Sequence, residues 1–196
     1  MEYFKSGYNV GYKNVLLAVD YMAQNAVISP ITSEGVYRIV LSWSSLPYDL
    51  DSHLTGPLPE SLQESANGEN GRFHMYYPYA EANEGSLFPE YVALDLDNTD
   101  IVDLPYVPET TTIRQMLNGT YRYSVHDFSN SGDETSTDLS SSNAKVEVFK
   151  GSTLIQTYHV PSNIAGTIWN VFELSGDQLT PLNRFTNGNA DDASKY

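Results

Sequence analysis

Residues 37–57 read Y-R-I-V-L-S-W-S-S-L-P-Y-D-L-D-S-H-L-T-G-P, and two alternations within them decide the fold class. In Tyr37–Trp43 the apolar side chains fall at Tyr37, Ile39, Leu41 and Trp43. A period of two belongs to a strand with one face against a core, so Trp43 is expected inside. Past Pro47 the period of two returns: Leu50 and Leu54 point one way, and Asp49, Asp51 and His53 the other. A strand that leaves an apolar core with three ionisable groups on one face asks what those groups do there.

The same pattern runs through the chain. Short runs of β-branched and aromatic residues alternate with Gly, Pro, Asn and Asp clusters, and no long segment keeps a 3.6-residue apolar period. Strands are expected over Asn14–Val19, Ala26–Ser29, Gly35–Trp43, Asp51–Thr55, Arg72–Tyr77, Tyr91–Leu96, Glu109–Ile113, Gly119–Asp127, Ala144–Lys150, Ser152–His159 and Thr167–Leu174. Eleven short strands imply an all-β fold, an antiparallel β-sandwich of immunoglobulin-like or jelly-roll-like type. Asn118-Gly119 and Lys150-Gly151 read as turns of antiparallel hairpins, and Ser175-Gly176-Asp177 as the close of the last strand. Trp169, Val171 and Phe172 are expected to cap the core, and the polar loops Ser129–Asn143 and Pro59–Gly71 to be solvated.

Composition narrows the function. Ten Lys plus Arg against 25 Asp plus Glu give a net charge of −15. That charge repels phosphate backbones and anionic headgroups, which argues against nucleic acid and membrane surfaces as partners. The chain has no cysteine, which rules out disulfides, thiolate catalysis and Cys-ligated zinc. No 18-residue apolar stretch is present, so membrane insertion is not expected. The N-terminus lacks a basic-then-apolar leader pattern, as in a mature or excised chain. Fifteen Tyr, with abundant Ser, Thr, Asn and Gly, fit a secreted bacterial β-protein.

The acids gather at strand ends. Asp49 and Asp51 lie in one Asp-x-Asp pair and Asp95 and Asp97 in a second, followed by Asp100, with Glu109 opening a later strand. Alternation sends Leu94 and Leu96 inward and Asp95 and Asp97 outward. Carboxylates brought together repel unless a cation lies between them, and few Lys or Arg are near in sequence. Calcium, which takes six to eight oxygens in a flexible geometry, is the economical cation; solvated edge acids are the plain alternative. His53, His74 and His126 raise a transition-metal alternative, but their spacing fits no short motif. Each is expected instead to orient a carboxylate or hydrogen-bond a backbone group.

The string V-L-S-W-S-S-L-P-Y-D-L-D-S-H-L-T-G-P, followed by R-F-H-M-Y-Y, A-L-D-L-D-N-T-D, P-E-T-T-T-I and G-T-Y-R-Y-S-V-H-D-F-S-N, resembles an uncharacterised family of secreted bacterial domains built on W-x(n)-P-x-D-L-D-x-H-L. The resemblance spans about Gly35 to Asn183. More distantly, D-L-D, a Glu-led strand and then G-T-Y resemble bacterial pre-peptidase C-terminal domains, which are calcium-stabilised sandwiches. Position-by-position correspondence fails at Asp95, Asp97 and Asp100. Residues 1–30 look like the last strands of a carboxypeptidase-regulatory-like, transthyretin-like module. The resemblance implies an extracellular or cell-surface accessory module, with Asp49, Asp51, Asp95, Asp97 and Glu109 as ligands.

The domain reading is therefore remnant or donor strands over 1–30, the main sandwich over 31–183 and a tail over 184–196. The expected function is a non-catalytic, calcium-stabilised accessory or adhesion module. A second reading is binding of polysaccharide or an extracellular protein through Tyr76, Tyr77, Tyr79 and Tyr91, with His53, His74 and His126 nearby. A third is self-association, with the N-terminal strands completing a neighbour's sheet. Catalysis is not expected: the acid pairs lie side by side along strands rather than across a cleft, and no G-x-S-x-G elbow occurs.

Overall fold

The computed structural model describes residues 2–8, 11–12, 32–81, 87–98 and 108–196. The strands expected over Asn14–Val19 and Ala26–Ser29 lie outside these residues. Nearer the start, β1 (Glu2–Tyr3) and β2 (Gly11–Tyr12) pair antiparallel as a small sheet of their own. Ten further strands follow: β3 (Tyr37–Ser42), β4 (Leu50–Pro57), β5 (Arg72–Met75), β6 (Val92–Leu96), β7 (Glu109–Ile113), β8 (Thr120–Asp127), β9 (Lys145–Lys150), β10 (Thr153–His159), β11 (Ile168–Ser175) and β12 (Gln178–Thr186). They form two five-stranded sheets, ordered β10-β9-β3-β7-β6 and β12-β11-β8-β4-β5, and every pairing is antiparallel. The chain is an all-β antiparallel sandwich.

Inward-facing residues of both sheets make one core. Tyr37, Ile39 and Leu41 of β3 and Val146 and Val148 of β9 meet Leu50 and Leu54 of β4, Tyr123 and Val125 of β8, and Trp169 and Phe172 of β11, all buried. Trp169 is fully buried in this core, and Trp43, expected inside, is not. Because β3 ends at Ser42, Trp43 sits at the margin, half-buried, its Nε1 donating to the Pro47 carbonyl at 3.1 Å.

β4 is buried on both faces along nearly its whole length. Gly56 lets the sheet close there, since a Cβ would stand 2.6 Å from the rings of both Phe73 and Tyr121. The Gly151 turn joins β9 and β10 as the expected hairpin. Asn118-Gly119 does something else: β7 and β8 belong to different sheets, so this turn is a crossover between layers.

The sandwich also contains a strand that the sequence did not announce. Gly176 turns β11 into β12, which runs to Thr186, past position 183. Pro181 in Q-L-T-P-L-N-R-F-T speaks against a central strand, but β12 is an edge, where a missing N–H costs nothing on the solvent side, and β11 bulges between Asn170 and Phe172 opposite it. The loop Ser129–Asn143 is more than solvated linker: a short helix, α1 (Asp138–Ser141), inserts Leu139 fully into the core. Residues beyond β12 lie on the second sheet. Asn187 Oδ1 accepts the Thr167 N–H at 3.1 Å, Gly188 packs close to Ile168, and Tyr196 is buried.

Candidate metal centre

Strand register assembles the site. Residues opposite each other in an antiparallel ladder share a face, and β4 pairs Asp51 with His126 and His53 with Ser124 on β8, and Thr55 with His74 on β5. Three histidines scattered over some seventy positions thereby converge on one face, beside Asp51.

From the other sheet comes Glu109, fully buried at the start of β7, whose Oε2 accepts the Ser52 N–H at 2.7 Å and whose Oε1 accepts that of Asn98 at 3.4 Å. Asp97, just past β6, completes the group: oxygens of Asp51, Asp97 and Glu109 lie within 4.8 Å of one another. Asp95 does not join them. β6 shifts register between Leu94 and Leu96, so the expected simple alternation of Asp95 and Asp97 breaks. Asp95 instead accepts from Thr112 Oγ1 at 2.6 Å and Arg38 at 3.3 Å, with Arg114 at 3.7 Å. Asp100 lies outside the described residues.

Magnitudes show what the acids need. Two like charges 4.8 Å apart repel by about 3 kcal/mol at an effective dielectric constant near 20, so three such pairs amount to about 10 kcal/mol. That rivals the whole stability of a typical domain, about 5–15 kcal/mol. Among the described residues no Lys or Arg forms an ion pair with Asp49, Asp51, Asp97 or Glu109. The proton-bound forms are therefore favoured. Burial, reinforced by the charges of Asp51, Asp97 and Asp127, pushes Asp49 up to about 7. Burial likewise raises Asp51 against the opposing effect of His126, raises Asp97 with help from Asp51, and raises Glu109 well above the carboxylate range. Asp127 differs in having its own donors, the backbone N–H and Nδ2 of Asn130 at 3.0–3.1 Å.

Several buried atoms at this place have no hydrogen-bond partner among the described residues: Asp49 Oδ1, Asp51 Oδ2, Asp97 Oδ1, His53 Nε2 and both ring nitrogens of His126. Each such group costs about 1–3 kcal/mol when left unsatisfied, so a cluster of them points to a partner of another kind. The carboxylate oxygens suit a hard cation, and calcium's demand for many oxygens fits this donor set.

The expectation that each histidine serves a carboxylate or backbone group is replaced by a different arrangement. His53 Nδ1 and His74 Nε2 are hydrogen-bonded to each other at 2.8 Å. His126 Nδ1 stands 3.8 Å from Asp51 Oδ2, too far for a direct bond. Asn67 fixes the backbone of His74 on both sides, by Nδ2 to its carbonyl at 2.7 Å and by Oδ1 from its N–H at 2.9 Å. Burial holds both rings neutral: His53 is lowered well below the usual range, and His74 to about 4.

The tyrosines expected at the surface are half-buried and packed on one another. Tyr76 stacks on His74 at 4.3 Å, Tyr79 meets Tyr76 edge-on at 5.5 Å, and Tyr77 meets Phe128 at 5.7 Å. Tyr91 is also half-buried. Tyr196 covers the histidines, parallel to His53 with ring centroids 3.9 Å apart. Nothing in the composition of residues 186–196 marks Tyr196 as part of the site, because its role comes from where the chain returns.

The chain matches no family model and no curated protein. Solved structures with a similar fold include a homologue of the telluride resistance protein TerD, SCO6318 from Streptomyces coelicolor A3(2), at 14% identity and a TM-score of 0.53, covering 80% of this chain and 93% of that one. A second is the protein of unknown function SAV2460, at 15% identity and a TM-score of 0.51, covering 84% of this chain and 95% of its own. At such identities the likeness concerns the fold alone, and it agrees with the two-sheet antiparallel β-sandwich described above.

Proposed function

We propose that this protein is a non-catalytic accessory module in which calcium, held by Asp49, Asp51, Asp97 and Glu109, ties the two sheets together. One observation carries the reading: carboxylates from β4, the end of β6 and β7 converge in a buried place where Asp49, Asp51 and Asp97 each leave an oxygen without a partner among the described residues. Glu109 is sealed from solvent and already oriented by Ser52, which suits a structural ligand better than a group that must reach a substrate. The acidic composition and the W-x(n)-P-x-D-L-D-x-H-L resemblance support an extracellular or cell-surface setting, with adhesion or spacing as the role.

Thermal melting of chelator-stripped protein tests this. An ion at a hundredfold excess over its Kd adds about 2.7 kcal/mol, equivalent to about 5–10 °C in Tm for a chain of this size. Calcium should produce that rise, magnesium a smaller one, and Glu109→Gln should lose it. No shift with calcium in the unmodified protein refutes the reading.

A further inference from the structure

We propose that Asp51, His53 and His126 form a second metal site, for a zinc-class divalent ion, adjoining the carboxylate group and sharing Asp51 with it. The inference goes beyond the calcium reading and does not depend on it, since two of the three ligands are imidazoles that a hard cation has no use for.

Four features build the site. The ligand atoms of Asp51, His53 and His126 lie within 4.8 Å of one another. His126 Nδ1 and Asp51 Oδ2, 3.8 Å apart, are too distant to bond each other, yet their separation is within a few tenths of an ångström of the roughly 3.4 Å between two tetrahedral zinc ligands at about 2.0–2.1 Å. Asp51 Oδ2, His53 Nε2 and both His126 nitrogens are buried without a hydrogen-bond partner among the described residues, although His53 and His126 are completely enclosed. Finally, His53 is oriented as metal-binding imidazoles are: its other nitrogen, Nδ1, is hydrogen-bonded, here to His74 Nε2 at 2.8 Å.

The His53–His74 bond has a direction that a metal would fix. Of the two facing nitrogens one donates and one accepts, so two tautomeric arrangements exist. In the arrangement where Nδ1–H of His53 donates to His74, the Nε2 lone pair of His53 is free for the ion. His74 is thus a positioning residue, itself fixed by Asn67. Tyr196 over His53, and Tyr76 over His74 and His53, supply the apolar shell that excludes water from the ligands. Two imidazoles and a carboxylate are a borderline donor set, suited to zinc and cobalt rather than to calcium. Three protein ligands leave one position of a tetrahedral ion open.

The test uses the full chain, stripped of metal and titrated with cobalt(II), zinc and calcium separately. One equivalent of cobalt should give the visible absorption of a low-coordinate, imidazole-bound ion, displaced by zinc and not by calcium. His126→Gln should weaken zinc binding more than tenfold while retaining the calcium-dependent rise in Tm; Glu109→Gln should do the reverse. His74→Gln should weaken zinc by about tenfold through loss of orientation. Absence of the cobalt band in the unmodified protein, its displacement by calcium, or unchanged zinc affinity in His126→Gln overturns the proposal. The cobalt spectrum of the unmodified chain decides the matter even if a variant fails to fold. Failure of the calcium reading shows separately, as a flat calcium melt beside an intact cobalt band.

Discussion

Asp49 carries a pH dependence whose sign follows from its surroundings. Burial raises its folded pKa from 3.8 to about 7. An acid raised in this way stabilises the fold while protonated; that contribution is complete below the unfolded value and is lost as the pH climbs toward 7, because the folded state then binds the extra proton. In chelator, the Tm of Asp49→Asn minus that of the unmodified protein should therefore grow between pH 4 and pH 7. The comparison cancels the buried histidines, whose lowered pKa values act in the opposite sense over part of the same range. Saturating calcium, which requires the ionised carboxylate, should close or reverse the gap. A gap that stays constant with pH in chelator would mean that Asp49 titrates as an ordinary surface acid.

Elements position these residues, and two substitutions probe them. In β4, Gly56 lies against the rings of Phe73 and Tyr121, with no room for a methyl group. Gly56→Ala should cost about 1–3 kcal/mol by overpacking, read from the urea midpoint at unchanged slope. At the end of the segment after β12, Tyr196 is buried against His53. Tyr196→Ala should destabilise by about 3 kcal/mol, the low end for truncating a buried aromatic, and should accelerate amide exchange at His53 and His126. An unfolding free energy within about 0.5 kcal/mol of the unmodified protein would show that the packing of Tyr196 on His53 adds no stability. The bulge in β6 is the complementary device: by breaking the alternation between Asp95 and Asp97 it sends one acid to Arg38 and the other to Glu109.

Over the whole molecule, a charge of −15 and a buried acidic group are two separate electrostatic burdens. Surface repulsion is screened by salt, with a Debye length of about 10 Å at 0.1 M, whereas charges inside the sandwich are screened far less. Sodium chloride matched to the ionic strength of the calcium buffer should therefore raise the chelated protein's Tm only slightly and should not replace calcium. Equal stabilisation by both salts would place the cation effect on the surface.

The sandwich itself is legible in the chain, because a period of two in Tyr37–Trp43 and at Leu50 and Leu54 has only one way to bury its apolar face. The Asp-x-Asp pairs and Glu109 stand out for an equally local reason, since each lies beside an apolar strand with few Lys or Arg near in sequence to pair with it. Register is not local. That His53, His74 and His126 share a face with Asp51 depends on β4 lying between β5 and β8. That Asp95 parts from Asp97 depends on a bulge in β6 opposite β7, and that Trp43 stands at the margin of the core depends on where β3 ends. β12 was hidden by Pro181, which only an edge position accommodates, and Tyr196 by its distance along the chain from the ring it covers. The sequence by itself determined the all-β class, the core alternation and the supply of acids. The tertiary structure alone decided which of them meet, because side chains far apart in the chain are brought together by strand pairing, and pairing is a property of the assembled sheets.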